Sequence, residues 1–115
     1  MTMVAFSNEK LKIGNIEVNF QHDILEIKEL NDIIIVVLKL PPRSSERNNV
    51  YGVSKDGHII WRISDPDKSL AGNLNVPYVG VSIEQGKGVA IIDFAGRRFF
   101  INEQDGTFLS MDIVK

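Results

Sequence analysis

His22-Asp23 and His58 carry the residue types that a general base or a metal centre needs, and they include both histidines of the 115-residue chain. There is no cysteine, so thiol nucleophiles, Cys-ligated zinc and a disulfide framework are excluded. His22-Asp23 falls between two strand-like stretches, where a surface turn accounts for it. His58 directly follows Asp56-Gly57 and reads as a solvated strand-end residue. Asp65-Pro66-Asp67 has the spacing of two calcium ligands, but the remaining loop ligands are missing and a proline intervenes, so a capped turn fits better. Glu26/Glu29 and Glu103/Asp105 are carboxylate pairs of the kind that glycoside hydrolysis uses, yet strands and turns carry such pairs by chance. Gly86-Lys87-Gly88 lacks the strand–loop–helix setting that phosphate binding requires. The expectation is no catalytic residue, no metal and no cofactor.

Six other residues are better candidates, and for interaction. Arg43, Arg47, Arg97 and Arg98 are the basic concentrations of the chain, and guanidinium groups brought together would meet an anion or an acidic partner. Phe99 and Phe100 are adjacent on a strand and so point to opposite faces. One of them must face solvent, a second sheet or another subunit. The other aromatic residues, Tyr51, Trp61, Tyr78, Phe94 and Phe108, are expected in the core.

Composition sets the frame for these sites. An apolar fraction of 43% and a charged fraction of 24% are those of one ordinary globular domain, taken as residues 1–115. Net charge is −2 with scattered lysines and arginines, which argues against a nucleic-acid surface. The longest apolar run, Ile33–Leu38, is too short to span a membrane as a helix, and the first residues lack the features of a signal peptide, so a cytoplasmic location is expected.

The elements that would position the candidates are strands. Apolar and polar residues alternate on both sides of Gly14-Asn15, giving an N-terminal hairpin within residues 3–20, with Met3–Phe6 as a short additional strand. Leu11, Ile13, Ile16, Val18 and Phe20 would share its buried face. Ile24–Leu30 reads as a strand, and Ile33–Leu38 as a central one: five of its six residues are β-branched, and the lack of alternation means that both faces are covered. Pro41–Asn48 is a polar loop expected to project from the body. Val50–Val53 and Ile59–Ile63 form a hairpin around Asp56-Gly57, anchored by Trp61, the single tryptophan. Asp65 is placed to cap one helical turn that Gly72 ends. Four further strands follow: Tyr78–Glu84, Val89–Phe94, Arg97–Asn102 and Thr107–Val114.

The central hairpin has a second copy. Val50-Tyr51, Asp56-Gly57 and Ile59-Ile60 answer to Phe99-Phe100, Asp105-Gly106 and Phe108-Leu109 at a constant offset of 49 positions. Ile24–Glu29 and Ile33–Leu38 answer in turn to Tyr78–Glu84 and Val89–Phe94. Residues 24–63 and 78–114 are thus two four-stranded antiparallel units, each the size of a propeller blade. At Val50-Tyr51-Gly52-Val53, Asp56-Gly57 and Trp61 the chain resembles the blades of quinoprotein-type (PQQ-like) propellers. As a whole it resembles a group of small uncharacterised bacterial proteins with such a hairpin after an aliphatic strand. The resemblance implies blade-like repeats. It carries over no cofactor site, because the Asp-Gly to Trp spacing departs from the quinoprotein pattern and Ser110 stands where Trp61 stands in the first copy. Ser54-Lys55-Asp56-Gly57 also resembles the Asp-box of sialidase propellers, with its glycine one place early.

Two blades do not close a ring. The expected fold is all-β, with the two meanders packed as a sandwich or barrel, or as an incomplete propeller that self-associates, and with the N-terminal hairpin over an open edge. The expected function is a non-enzymatic protein-interaction or scaffold module. The alternative is a domain binding a sugar or another small anion around Arg43, Arg47 and Arg98.

Overall fold

The computed structural model describes residues 3–113. Eleven strands and one helical turn occur among them. β1 (Val4–Ser7), β2 (Lys10–Ile13) and β3 (Ile16–Asn19) form an N-terminal three-stranded sheet. β4 (Ile24–Glu29), β5 (Ile33–Leu38), β6 (Val50–Ser54) and β7 (Ile59–Arg62) form a middle sheet in sequence order. After α1 (Lys68–Ala71), β8 (Tyr78–Glu84), β9 (Gly88–Asp93), β10 (Arg97–Ile101) and β11 (Phe108–Ile113) form a C-terminal sheet, also in sequence order. Every strand pairing is antiparallel. The all-β expectation holds.

The middle sheet is the centre of the molecule because β5 has no polar face to turn to water. All six of its residues are buried. Ile33, Ile35 and Val37 pack with Val50, Trp61 and Ile63 against Tyr78, Val81, Val89, Ile91, Phe99 and Ile101 of the C-terminal sheet. On the other side Ile34, Val36, Leu38 and Val53 pack against Leu11, Ile13 and Val18. The N-terminal strands therefore cover a face of the middle sheet rather than an open edge, and the additional strand expected at Met3–Phe6 is present as β1, whose Val4 and Phe6 pair with Ile13 and Leu11. Lys10, Lys12, Glu17 and Asn19 lie on the exposed side as their alternation predicts. Ile16 departs from the expected buried set and is 41% exposed. It packs instead under the Asp56-Gly57 turn, where a Cβ at Gly57 would come within 2.6 Å of Ile16 Cγ2.

The C-terminal sheet is tied to the middle sheet in the same manner. Its own Asp-Gly turn brings Gly106 onto the Trp61 indole, which also lies against Gly52. Trp61 Nε1 donates to the Glu103 carbonyl at 2.8 Å, so the buried indole N–H is satisfied across the two sheets. Near α1 the cap differs from the expected one. Asp67, not Asp65, caps the turn by accepting from the Ser69 N–H, and Gly72 ends it with a φ of 65°. Asp65 accepts instead from Asn75 Nδ2.

Candidate functional site

The features most capable of binding lie where the β5–β6 loop meets the start of β8 and the end of β9. There a cleft of about 440 Å³ opens between the middle and C-terminal sheets. Leu25, Val79 and Phe94 face it, and they are 41%, 42% and 76% exposed. Phe94 was expected in the core. It falls one residue beyond β9, where its N–H donates to the Pro77 carbonyl and its ring is released outward.

The floor of the cleft is held by Asn49, which is 2% exposed. Its Nδ2 donates to the carbonyls of Leu38 and Tyr78 at 2.7 Å each, and its Oδ1 accepts from the Tyr78 N–H at 3.0 Å. One side chain thus joins β5 to β8 and spends its hydrogen-bonding capacity doing so. Tyr78 sits in the core beside Asp93, and burial together with that carboxylate raises its phenol well above the ordinary tyrosine range.

The loop over the cleft folds back on the body instead of projecting. The Ser44 N–H donates to the Pro41 carbonyl, and Arg43 has a φ of 67°, which are the marks of a type II turn with Pro42 at its second position. Arg47 donates to the carbonyls of Ser44, Glu46 and Asn75, tying the loop to the α1–β8 connector. Glu46 contacts His22 at 3.3 Å and Arg62 at 3.7 Å.

The four arginines do not converge. Arg47 and Arg97 both reach the α1–β8 connector, where Arg97 donates to the carbonyls of Ala71 and Leu74 and pairs with the buried Asp93 at 2.8 Å. Each guanidinium makes three hydrogen bonds within the protein, Arg47 to carbonyls alone and Arg97 to two carbonyls and one carboxylate, which makes both of them ties within the fold. Arg98 points to the other face of β10, where Asp112 binds it through both oxygens at 2.7 Å and Glu84 at 2.5 Å. That pairing holds Asp112 below the usual carboxylate range and raises Arg98. Arg43 alone lines the cleft with its side chain exposed, next to Lys39. Neither makes a salt bridge among the described residues.

A family model described as a domain of unknown function, DUF7957, matches residues 1–113. The chain belongs to the DUF7957 family. A search of curated proteins finds no match.

In this DUF7957 chain Phe99 and Phe100 do lie on opposite faces of β10, and both are covered. Phe99 is fully buried between the two four-stranded sheets, edge-on to Tyr78 and Phe108. Phe100 is 6% exposed on the outer face of the C-terminal sheet. Arg98 lies 5.4 Å and Lys87 5.8 Å from its ring centroid, so the salt-bridged Arg98 and the neighbouring Lys87 form its lid. The two histidines lie at opposite ends of β6. His22 contacts Glu46 beside the loop that leads into β6, and His58 contacts Asp56 in the turn that leaves it. No group of three potential metal ligands occurs among the described residues, and no helix among them is long and apolar enough to cross a membrane.

Sequence reading missed Asn49, Leu25 and Val79. An Asn directly before a strand is an ordinary residue in sequence. Its burial depends on β8, which lies about thirty positions further on.

Proposed function

We propose that this DUF7957 chain is a non-enzymatic interaction module whose working surface is the cleft beneath the β5–β6 loop. The observation that carries the reading is the grouping of exposed Leu25, Val79 and Phe94 around one concavity whose floor and roof are fixed by Asn49 and Arg47. Exposed apolar surface gathered on a preorganised frame is what a partner would bury. The outer faces of the terminal sheets carry Lys10, Lys12 and Glu17 on one side and the Glu84–Arg98–Asp112 cluster on the other, which suits solvent better than a ring closed by self-association. The separation of His22 from His58 supports a non-enzymatic role.

We also infer that the two four-stranded sheets are blade-like copies. Each is a meander in sequence order, and each rests its Asp-Gly turn on the last strand of the sheet before it: Gly57 on Ile16, Gly106 on Trp61. The second functional reading, a small-anion site, rests on Arg43 and Lys39 at the rim of the same cleft.

Site-specific photo-crosslinking in the native host tests the interaction reading. A photoreactive phenylalanine at position 94 is expected to give discrete protein adducts, and one at position 12, on the outer face of the N-terminal sheet, none. Equal labelling at both positions, or none at either, would overturn it.

A further inference from the structure

Resting on the reading of the cleft as an interaction surface, we propose that its occupant is a segment of a partner protein that presents an apolar side chain beside a carboxylate. The two halves of that description come from two parts of the cleft. Leu25, Val79 and Phe94 supply an apolar wall at the sheet end. Lys39 and Arg43 supply positive charge at the loop end, in a chain whose overall charge is −2. Glu46, the acidic residue lining the cleft, is engaged by His22 and Arg62 and so does not offset them. Charge complementarity therefore selects an acidic occupant, and Arg43 is the group suited to reading its carboxylate through paired N–H donors.

The backbone of Arg43 supports this placement. A type II turn favours glycine at the position that takes positive φ, and here a long cationic side chain stands there with φ 67°. The turn places Arg43 among the residues that line the cleft.

The Pro41 and Pro77 carbonyls that line the cleft already accept from the Ser44 and Phe94 N–H groups, so recognition falls to the apolar wall and the two cations. A peptide segment presents an apolar side chain and a carboxylate on neighbouring residues, which matches the two parts of the cleft.

The test is selection from a displayed library of random twelve-residue peptides on the full chain. The selected peptides are then titrated by fluorescence anisotropy against the native protein, Arg43→Gln, Lys39→Gln and Phe94→Ser. Binders are expected to carry Asp or Glu next to an apolar residue. Replacing that acid with its amide, or Arg43 with Gln, is expected to weaken binding about tenfold, the loss of one charge-assisted contact. Arg43→Gly, whose backbone accepts positive φ, serves as the second variant if Arg43→Gln misfolds. Peptides that need Phe94 but ignore both the acid and Arg43 would overturn this proposal and leave the cleft reading intact. Binding indifferent to all the variants would overturn both. Decanoate bound in an Arg43-dependent manner, with no cleft-dependent peptide, would make the occupant a small amphiphile and contradict the proposal.

Discussion

Gly106 lies so close to the Trp61 indole that a Cβ at position 106 would stand 2.6 Å from Cε3. Its φ of 75° adds a second demand for glycine. Gly106→Ala must therefore either displace the indole, breaking its bond to the Glu103 carbonyl, or move the turn off the middle sheet. The expected loss is about 2–4 kcal/mol in urea unfolding, with a red-shifted Trp61 emission. A native-like midpoint would mean that the contact between the two sheets is not made there.

Asn49 is the corresponding tie at the cleft end. Asn49→Ala removes one side chain and leaves the Leu38 and Tyr78 groups short of partners, so it is expected to cost about 2–4 kcal/mol. Amide exchange should report it at Tyr78 in particular, because the Tyr78 N–H loses its acceptor.

On the outer face of the C-terminal sheet, Phe100→Ser is expected to lower stability by about 1–3 kcal/mol while leaving the solution mass by light scattering unchanged. A drop in mass would restore Phe100 as an association residue. Ser82 pairs with Ala90, which pairs with Phe100, and its buried hydroxyl has no hydrogen-bond partner among the described residues. Ser82→Ala should accordingly be neutral or stabilising by up to about 1 kcal/mol.

The lid over Phe100 should be acid-sensitive. Asp112 is held below its ordinary value of 3.8, first by its hydrogen bonds to Arg98 and then by the same positive charge. A carboxyl with a depressed folded-state pKa contributes stability above its unfolded value, and that contribution is lost as pH falls through the folded one. The Arg98–Asp112 contribution is therefore present at neutral pH and disappears below about pH 3.8. Asp112→Asn should lower the urea midpoint at pH 7 and change it less at pH 3. An equal change at both values would show that ionisation of Asp112 does not matter.

Arg43→Gly relieves a backbone that an L-residue adopts with difficulty, and is expected to stabilise the chain by about 1 kcal/mol. A destabilised variant would show that the Arg43 side chain serves the fold rather than the cleft.

The strands were legible in the sequence because their signals are local. Ile33–Leu38 announces a strand covered on both faces by composition alone, and Gly14-Asn15 and Asp56-Gly57 mark their turns. Adjacency of Phe99 and Phe100 was enough to place them on opposite faces. What covers each face was not legible. Phe100 is shielded by Arg98, whose position depends on Asp112 fourteen residues away and on Glu84 on β8. The arginine cluster failed for a related reason: Arg47 is drawn to the Asn75 carbonyl, Arg97 to the Ala71 and Leu74 carbonyls, and Arg98 to Glu84 and Asp112, all distant in sequence. Asp67 took the cap expected of Asp65, a shift of two residues that the Asp-Pro-Asp pattern leaves undecided. The cleft depends on Phe94 ending outside β9, and no pattern in Ile91–Ala95 distinguishes that from a core position.

The most direct measurement is titration with 8-anilinonaphthalene-1-sulfonate, an apolar anion, of the native chain, Phe94→Ser and Leu109→Ser. Leu109 is 63% exposed on β11, away from the cleft, and serves as the control. All three should have the same unfolding free energy in urea to within about 0.5 kcal/mol, since both changes are on the surface. The account predicts one saturable fluorescent site that Phe94→Ser removes and Leu109→Ser leaves intact. A site that survives Phe94→Ser, or that Leu109→Ser removes, would contradict the assignment of the cleft as the working surface.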